Sequence, residues 1–326
     1  MSIGEVLWMK ITVIGCGRWG SFIAWHLNKV GHNVTLYGRN TSENMKKIMQ
    51  FRKSGCLSLP ETIALSTDIS CAQGADVIAI SVSSQSLRDV CRLLSQIGIK
   101  DKTIVLCMKG LEIGTCCRLS QIAEEETDPS NKVAVWLGPG HVEEFSMGIQ
   151  NCMVIDSASD DVKKMLVREF SNSTIRFYYG TDLIGSEIGA ASKNVIGIAA
   201  GMLDGLGRTS LKGALMSRGT REIARLIKAA GGNELSAYGL CHLGDYQATV
   251  FSEYSHNRKY GECLVSGEKY EMLAEGKFTV KALIEMAEKL DVELPICRAV
   301  YNVIYEDASP AHELSSLFER SLKYEF

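Results

Sequence analysis

The chain has 326 residues, a net charge of -3, 46% hydrophobic and 22% charged residues, and only five prolines. That composition belongs to a folded protein with room for two hydrophobic cores, and two domains are expected. The small negative charge leaves no basic excess for gripping a phosphate backbone by counterion release, so nucleic acid is excluded as a partner.

The opening MSIGEVLWMKITVIG lacks a basic region, an apolar core and a cleavage site, and no apolar run approaches bilayer length. Neither export nor a membrane is expected. Residues 1 to 8 read as an extension before the first strand, with Met9 as an alternative start. The eleven cysteines are dispersed through apolar segments (Cys91, Cys107, Cys152, Cys241) and form no C-x-x-C pair, which fits a reducing cytoplasm. Cys116 and Cys117 are adjacent, but no histidine cluster stands near them, so they read as packing thiols and no metal site is expected.

KITVIG (10–15) is a short β-branched run ending in glycine, followed by a helical pattern with Phe22, Ile23, His26 and Leu27 on one face and Gly31 as its C-cap. Further strands are expected over 33–38, 76–82, 103–108, 133–138, 152–156 and 174–180, with helix-like segments between most of them. Short, nearly all-apolar strands alternating with helices imply a parallel sheet covered on both faces. The first turn, Gly15-Cys16-Gly17-Arg18-Trp19-Gly20, matches G-x-G-x-x-G between a strand and a helix. The first glycine permits the tight turn, the second lets backbone amides approach a pyrophosphate, and the third lets helix and strand pack closely. At the end of the second strand LYGRN offers Arg39 and no carboxylate until Glu43, which suits a 2′-phosphate and hence NADP.

From about residue 182 strand signals give way to amphipathic helices. Residues 211–232 place Leu215, Ile223, Leu226 and Ile227 at helical spacing before a Gly-Gly stop, and 279–306 repeats the pattern across one proline. The first helical stretch, EIGAASKNVIGIAAG (187–201), carries only Lys193 as a charge between its first residue and its last. A solvated face usually carries several charges and a core helix none. A cleft between two such domains is the default place for a substrate.

The passage DLIGSEIGAASKNVIGIAAGMLDGLG resembles the bacterial NAD(P)-dependent glycerol-3-phosphate dehydrogenase family, as do GCGRWG, SVSSQSLR, CMKGLE, LGPGHVEEF, GLCHLGDY, YSHNRKYG and LAEG in the same order. The likeness runs from residue 9 to about 305. It implies an α/β fold: an N-terminal Rossmann parallel-sheet domain (1–186) followed by an all-helical C-terminal domain (187–326). It further implies reversible reduction of dihydroxyacetone phosphate to sn-glycerol 3-phosphate with NADPH, or with NAD, for phospholipid precursor synthesis, and a homodimer.

Reducing a ketone requires a proton donor for the developing alkoxide, and a lysine in apolar surroundings can fill that role and its reverse. Lys193 matches the family's catalytic lysine and Asp245 its active-site aspartate. Lys109 matches a residue contacting substrate and cofactor together. Ser255-His256-Asn257-Arg258 resembles an S-R-N-R segment whose donors face the substrate phosphate and the cofactor. By the same resemblance Gly138 and Gly140 line the substrate, while Gly15, Gly17, Arg18, Trp19, Gly20, Arg39, Val142 and Glu275 contact the cofactor. Plainer readings stand beside these: a snorkelling Lys193, an Asp245 N-cap, and a solvated Lys109.

Four departures fall at the substrate end. His256 replaces an arginine by a titrating group. Leu137-Gly138-Pro139-Gly140-His141 stands where S-G-P-S-F is common. Ser83 takes the place of a proline, and the loop around Ser210 is one residue short and lacks an asparagine. Two rival readings follow, a reductase of another small oxo-phosphate or oxo-phosphonate and a non-catalytic NADP sensor. The second has no need for Lys193, Asp245 and Lys109 together.

Overall fold

The computed structural model describes residues 8–321 and Tyr324. The expected N-terminal extension therefore lies, apart from Trp8, outside the described residues. The chain divides into two compact units, one comprising residues up to Lys109 with Cys117–Leu183, the other Gly110–Cys116 with Ile184 onward.

In the first unit, strands β1 (Lys10–Ile14), β2 (Asn33–Tyr37), β3 (Lys53–Ser54), β4 (Leu57–Ser58), β5 (Ala64–Ser66), β6 (Val77–Ile80), β7 (Thr103–Leu106), β8 (Lys132–Leu137), β9 (Asn151–Ser157) and β10 (Ile175–Tyr179) are interspersed with α1 (Arg18–Val30), α2 (Glu43–Phe51), α3 (Leu87–Gln96), α4 (Leu119–Glu126), α5 (Val142–Ser146) and α6 (Asp160–Phe170). Eight strands form one sheet in the order β10-β9-β8-β7-β6-β1-β2-β5, and β3 and β4 form a separate hairpin. The seven strands expected from the sequence are all present. The hairpin and the edge strand β5 were too short to show a period.

The sheet is parallel from β5 to β8, but β9 pairs antiparallel with β8. Residues 138–150 join the two strands, and their one helix, α5, has five residues and rises only about 7 Å, so no helix of the strand's length packs back across the sheet here. The six residues of β8 span about 20 Å. Strand order reverses at β1, which has β2 on one side and β6 on the other. The carboxyl end of β1 is thus the switch point where such sheets bind ligands.

Helix α1 buries Phe22, Ile23, His26 and Leu27 and ends at Gly31, whose φ of 119° leaves the helix through the left-handed region. The His26 imidazole hydrogen-bonds the Phe170 carbonyl at 2.8 Å, and burial pushes its pKa down to about 4.

The second unit contains α7 (Leu183–Gly205, which begins one residue before the division), α8 (Lys212–Ala229), α9 (His256–Ser266), α10 (Glu275–Lys289), α11 (Pro295–Tyr305) and α12 (Pro310–Ser316). Its core includes Val195, Ile196, Met202, Ile223, Leu226, Leu283 and Val300, each side chain stabilising by about 1.5–3 kcal/mol. The helical pattern expected over 279–306 is two helices. Asp291 takes φ 53° and Pro295, which has no N–H to donate, begins α11. No helix among the described residues is long and apolar enough to cross a membrane.

Candidate active site

Helix α7 carries glycine at 185, 189, 197, 201 and 205, and Lys193 fills the one remaining place in that every-fourth series. At 3.6 residues per turn the series drifts by about 40° at each step, so it winds slowly around the helix and meets successive neighbours. A Cβ on Gly189 would stand 3.1 Å from the His242 Cβ, one on Gly197 would stand 2.6 Å from Thr249, and one on Gly201 would collide with the Arg258 carbonyl. Absence of side chains thus admits the 242–251 segment and α9 close to the helix, and Lys193 meets them in the middle of the stripe.

Lys193 is 8% exposed and Asp245 is fully buried. The Lys193 Nζ lies 2.9 Å from Asp245 Oδ2 and donates to Thr249 Oγ1 at 2.7 Å. Thr249 in turn donates to the Asp245 backbone carbonyl at 2.8 Å, so one hydroxyl orients both partners. A buried lysine is tolerable only when paired and hydrogen-bonded, and both conditions hold. Asp245 ends a 3₁₀ turn, Leu243–Asp245, and Thr249 lies in a π-helical turn, Gln247–Phe251. The π turn is the rare one of the two and is frequent at functional sites.

Beneath the pair, His242 Nδ1 is 2.8 Å from the Gly189 carbonyl and its Nε2 is 2.7 Å from the Tyr246 hydroxyl. Burial pushes His242 down to about 4 and raises the Tyr246 phenol. Sequence reasoning missed Thr249, His242 and Tyr246. Thr249 stands four residues after Asp245, but in a segment with no regular period.

Asn257 donates to Asn194 Oδ1 at 3.1 Å and accepts from the Gly276 N–H at 2.9 Å. This brings α9 and the start of α10, where Glu275 is the first residue, to the residue after Lys193. Ser255 caps α9 by accepting from the Arg258 N–H at 3.3 Å. His256 Nδ1 is 2.6 Å from the Tyr270 hydroxyl. Arg258 places its guanidinium 2.6 Å from Asp204 and 2.9 Å from Glu262, and Lys212 also reaches Asp204 at 2.6 Å. Burial works to raise the Asp204 pKa, but hydrogen bonds from Lys212, Arg258 and Thr209 outweigh it and hold the carboxyl below its usual range.

In the first unit the three glycines of the turn meet three different surroundings. A Cβ on Gly15 would strike the Ser81 carbonyl, one on Gly20 would strike the Gly15 carbonyl, and one on Gly17 would find nothing within 4 Å. Gly17 is also the N-cap of α1, a 13-residue helix with no side-chain cap and no acidic residue in its first turn. Open space over uncapped amides fits a pyrophosphate. The Arg18 Nε is buried there without a hydrogen-bond partner, while another nitrogen of the same group pairs with Glu143. Trp19 packs on Phe22, Trp136 and Phe145. Arg39 is exposed two residues beyond β2.

Lys109, beyond the carboxyl end of β7, donates to the Gly138 carbonyl at 2.7 Å, tying it to the loop after β8. Gly138 and Gly140 have φ of 117° and 150°. A Cβ on Gly140 would strike the Phe145 ring, so the serine common at that place in the resembled family has no room here. Val142 opens α5 and is buried. Among the departures, Leu137 is buried at the end of β8, Ser210 is exposed, and Ser83 precedes a short 3₁₀ turn.

Residues 10–163 match the family model described as NAD-dependent glycerol-3-phosphate dehydrogenase N-terminus, and residues 182–315 match the model for its C-terminus. A glycerol-3-phosphate dehydrogenase [NAD(P)+] of Thermoanaerobacter sp. is 33% identical, over 97% of this chain and 99% of the relative. One from Fusobacterium nucleatum is 37% identical over 97% and 98%. The crystal structure of glycerol-3-phosphate dehydrogenase from Coxiella burnetii superposes with a TM-score of 0.90 at 26% identity, covering 96% of this chain and 99% of that one. The glycine turn, the paired Lys193 and the likeness along nearly the whole length agree, and the chain belongs to the NAD-dependent glycerol-3-phosphate dehydrogenase family, NAD(P)-dependent oxidoreductases acting on a CH–OH group.

Proposed function

We propose that this protein reduces dihydroxyacetone phosphate to sn-glycerol 3-phosphate, with Lys193 as the proton donor, and that it prefers NADPH while accepting NADH. The observation that carries the reading is the buried Lys193 ammonium held between the Asp245 carboxylate and the Thr249 hydroxyl. A bound nicotinamide supplies the hydride. Lys193 gives its proton to the developing alkoxide, and Asp245 and Thr249 hold the ammonium in line for that transfer. In the reverse direction the neutral lysine takes the hydroxyl proton.

In this reading residues 1–186 hold the dinucleotide and 187–326 supply the proton donor and bind the substrate. Gly15, Gly17 and Gly20 seat the pyrophosphate on α1, with Arg18, Trp19, Val142 and Glu275 as further cofactor contacts. Arg39 takes the 2′-phosphate. Lys109, Gly138, Gly140, Ser255, His256, Asn257 and Arg258 make up the remainder of the substrate site. The substrate is a small phosphorylated ketone, the working form a homodimer, and the compartment the cytoplasm, where the product feeds phospholipid synthesis.

A second reading, reduction of a related oxo-phosphate or oxo-phosphonate, is favoured by the commitment of Arg258 to Asp204 and Glu262 and by His256 in place of an arginine. Initial rates of NADPH oxidation with dihydroxyacetone phosphate and with such analogues separate the two. A higher kcat/KM on dihydroxyacetone phosphate supports the first reading, and a higher one on an analogue the second. Tight NADPH binding with no turnover on any of them overturns both in favour of a sensor.

A further inference from the structure

The His242–Tyr246 pair is buried beside the proposed proton donor, and the proposed chemistry does not use it. Both residues have no exposed surface. A carbonyl oxygen only accepts, so the 2.8 Å contact between His242 Nδ1 and the Gly189 oxygen fixes the proton on Nδ1. Nε2 is then the acceptor, and the Tyr246 hydroxyl, 2.7 Å away, is its donor. The ring is neutral with both nitrogens engaged.

The two ends of this bridge are informative. Gly189 precedes Lys193 by four residues, one turn of α7, and Tyr246 follows Asp245 directly. The contacts close a circuit that runs from Lys193 to Asp245, through Tyr246 and His242, to Gly189 and back along the helix to Lys193. Asp245 needs such a tether because its segment is not an α-helix. It is a 3₁₀ turn followed by a π turn, and His242 itself has φ -125° and ψ -84°. Its backbone hydrogen bonds are internal, Asp245 N–H to the His242 carbonyl at 3.0 Å and Tyr246 N–H to the Leu243 carbonyl at 3.1 Å, and these fix the shape of the turn without fixing its register against α7. The charged and titratable groups facing the pair are Lys193 on α7, Asp245 on its own segment, Glu222 on α8 and Cys297 on α11.

We propose that His242 and Tyr246 are positioning residues for Lys193, a neutral imidazole bridge that sets the register of α7 against the turn bearing Asp245. The inference rests on the reading of Lys193 as proton donor. Without the bridge the turn shifts along α7, and a misplacement near 1 Å costs about a hundredfold in rate.

The test compares the full chain with Tyr246→Phe, which keeps the ring, and His242→Asn, which keeps a donor for the Gly189 carbonyl, and it records the tautomer of His242 by ¹⁵N NMR in the unmodified protein. The expected result is a kcat lower by about a hundredfold in Tyr246→Phe, with the Kd for NADPH unchanged and the pH limb due to Lys193 displaced. His242→Asn retains more activity than His242→Ala, and the NMR spectrum shows a neutral Nδ1–H ring at neutral pH. A lower Tm with unchanged kcat and pH profile, or a protonated or Nε2–H ring, overturns the proposal. Should Tyr246→Phe fail to fold, the tautomer and the His242 series decide it. Lack of turnover by the unmodified chain overturns the dehydrogenase reading, whereas normal turnover with an indifferent Tyr246→Phe overturns the bridge alone.

Discussion

The glycine turn after β1 and the glycine stripe of α7 use the same residue to different ends. In the turn, glycine at 17 leaves space above uncapped amides where a phosphate can sit, while 15 and 20 let strand, turn and helix touch. In the stripe, glycine leaves no space at all. Gly201 lies under the Arg258 carbonyl and Gly197 under Thr249, so neighbouring backbone is drawn against α7 and Lys193 is enclosed with its partners. One arrangement prepares a vacancy for a ligand, and the other builds the wall that desolvates a side chain.

Adding a methyl group sharpens that difference. Gly201→Ala sets a Cβ against backbone that cannot swing away and is expected to cost about 3 kcal/mol, read as a lower urea midpoint. Gly20→Ala, which strikes the Gly15 carbonyl, behaves alike. Equal stability of Gly201→Ala and the unmodified chain would contradict the packing described.

Acid separates the two units less sharply, because each contains a histidine whose pKa burial lowers. Burial pushes His26 and His242 from 6.5 down to about 4. Between those values the unfolded chain takes up a proton that the folded chain excludes. The stability present above pH 6.5 is therefore lost as pH falls toward 4, by about 2 kcal/mol for each imidazole between pH 7 and pH 5. Urea unfolding of the unmodified chain and of His26→Leu at those two pH values checks this. The variant should lose less stability on acidification, and an equal loss would remove His26 from the account.

The smallest effects belong to the ligand side of the turn. Gly17→Ala should leave the Tm in place, since a Cβ there meets nothing, yet weaken NADPH binding about tenfold, near 1.4 kcal/mol. Arg39→Ala should raise the Kd for NADPH by a similar factor and leave that for NADH alone. Calorimetric titration measures both. A Gly17→Ala protein that unfolds early, or an Arg39→Ala protein that weakens both cofactors equally, would undo the assignment.

Much of the first unit was legible because its signals are local. A β-branched run, a glycine spacing and an amphipathic period place β1, the turn and α1 without reference to anything distant. The direction of β9 was not legible, since its apolar run reads the same in either direction and the five-residue α5 before it leaves no period to read. In the second unit the sequence marked Lys193 as anomalous, one charge in a run of small and apolar residues. It did not disclose Thr249 or the His242–Tyr246 bridge, which lie about fifty residues away in a segment of 3₁₀ and π turns with no repeating face. Arg258 shows the converse. Its motif suggests an anion-binding arginine, and only the fold reveals that Asp204 and Glu262 already hold its guanidinium.

Whether Lys193 delivers the proton in reduction of a phosphorylated ketone is tested most directly by the initial rate of NADPH oxidation with dihydroxyacetone phosphate, comparing the unmodified chain with Lys193→Ala. A rapid rate that falls by about a thousandfold in the variant, with NADPH binding intact, is the predicted result. A rate that survives the substitution would contradict the role given to Lys193, and the absence of any rate in the unmodified chain would contradict the substrate.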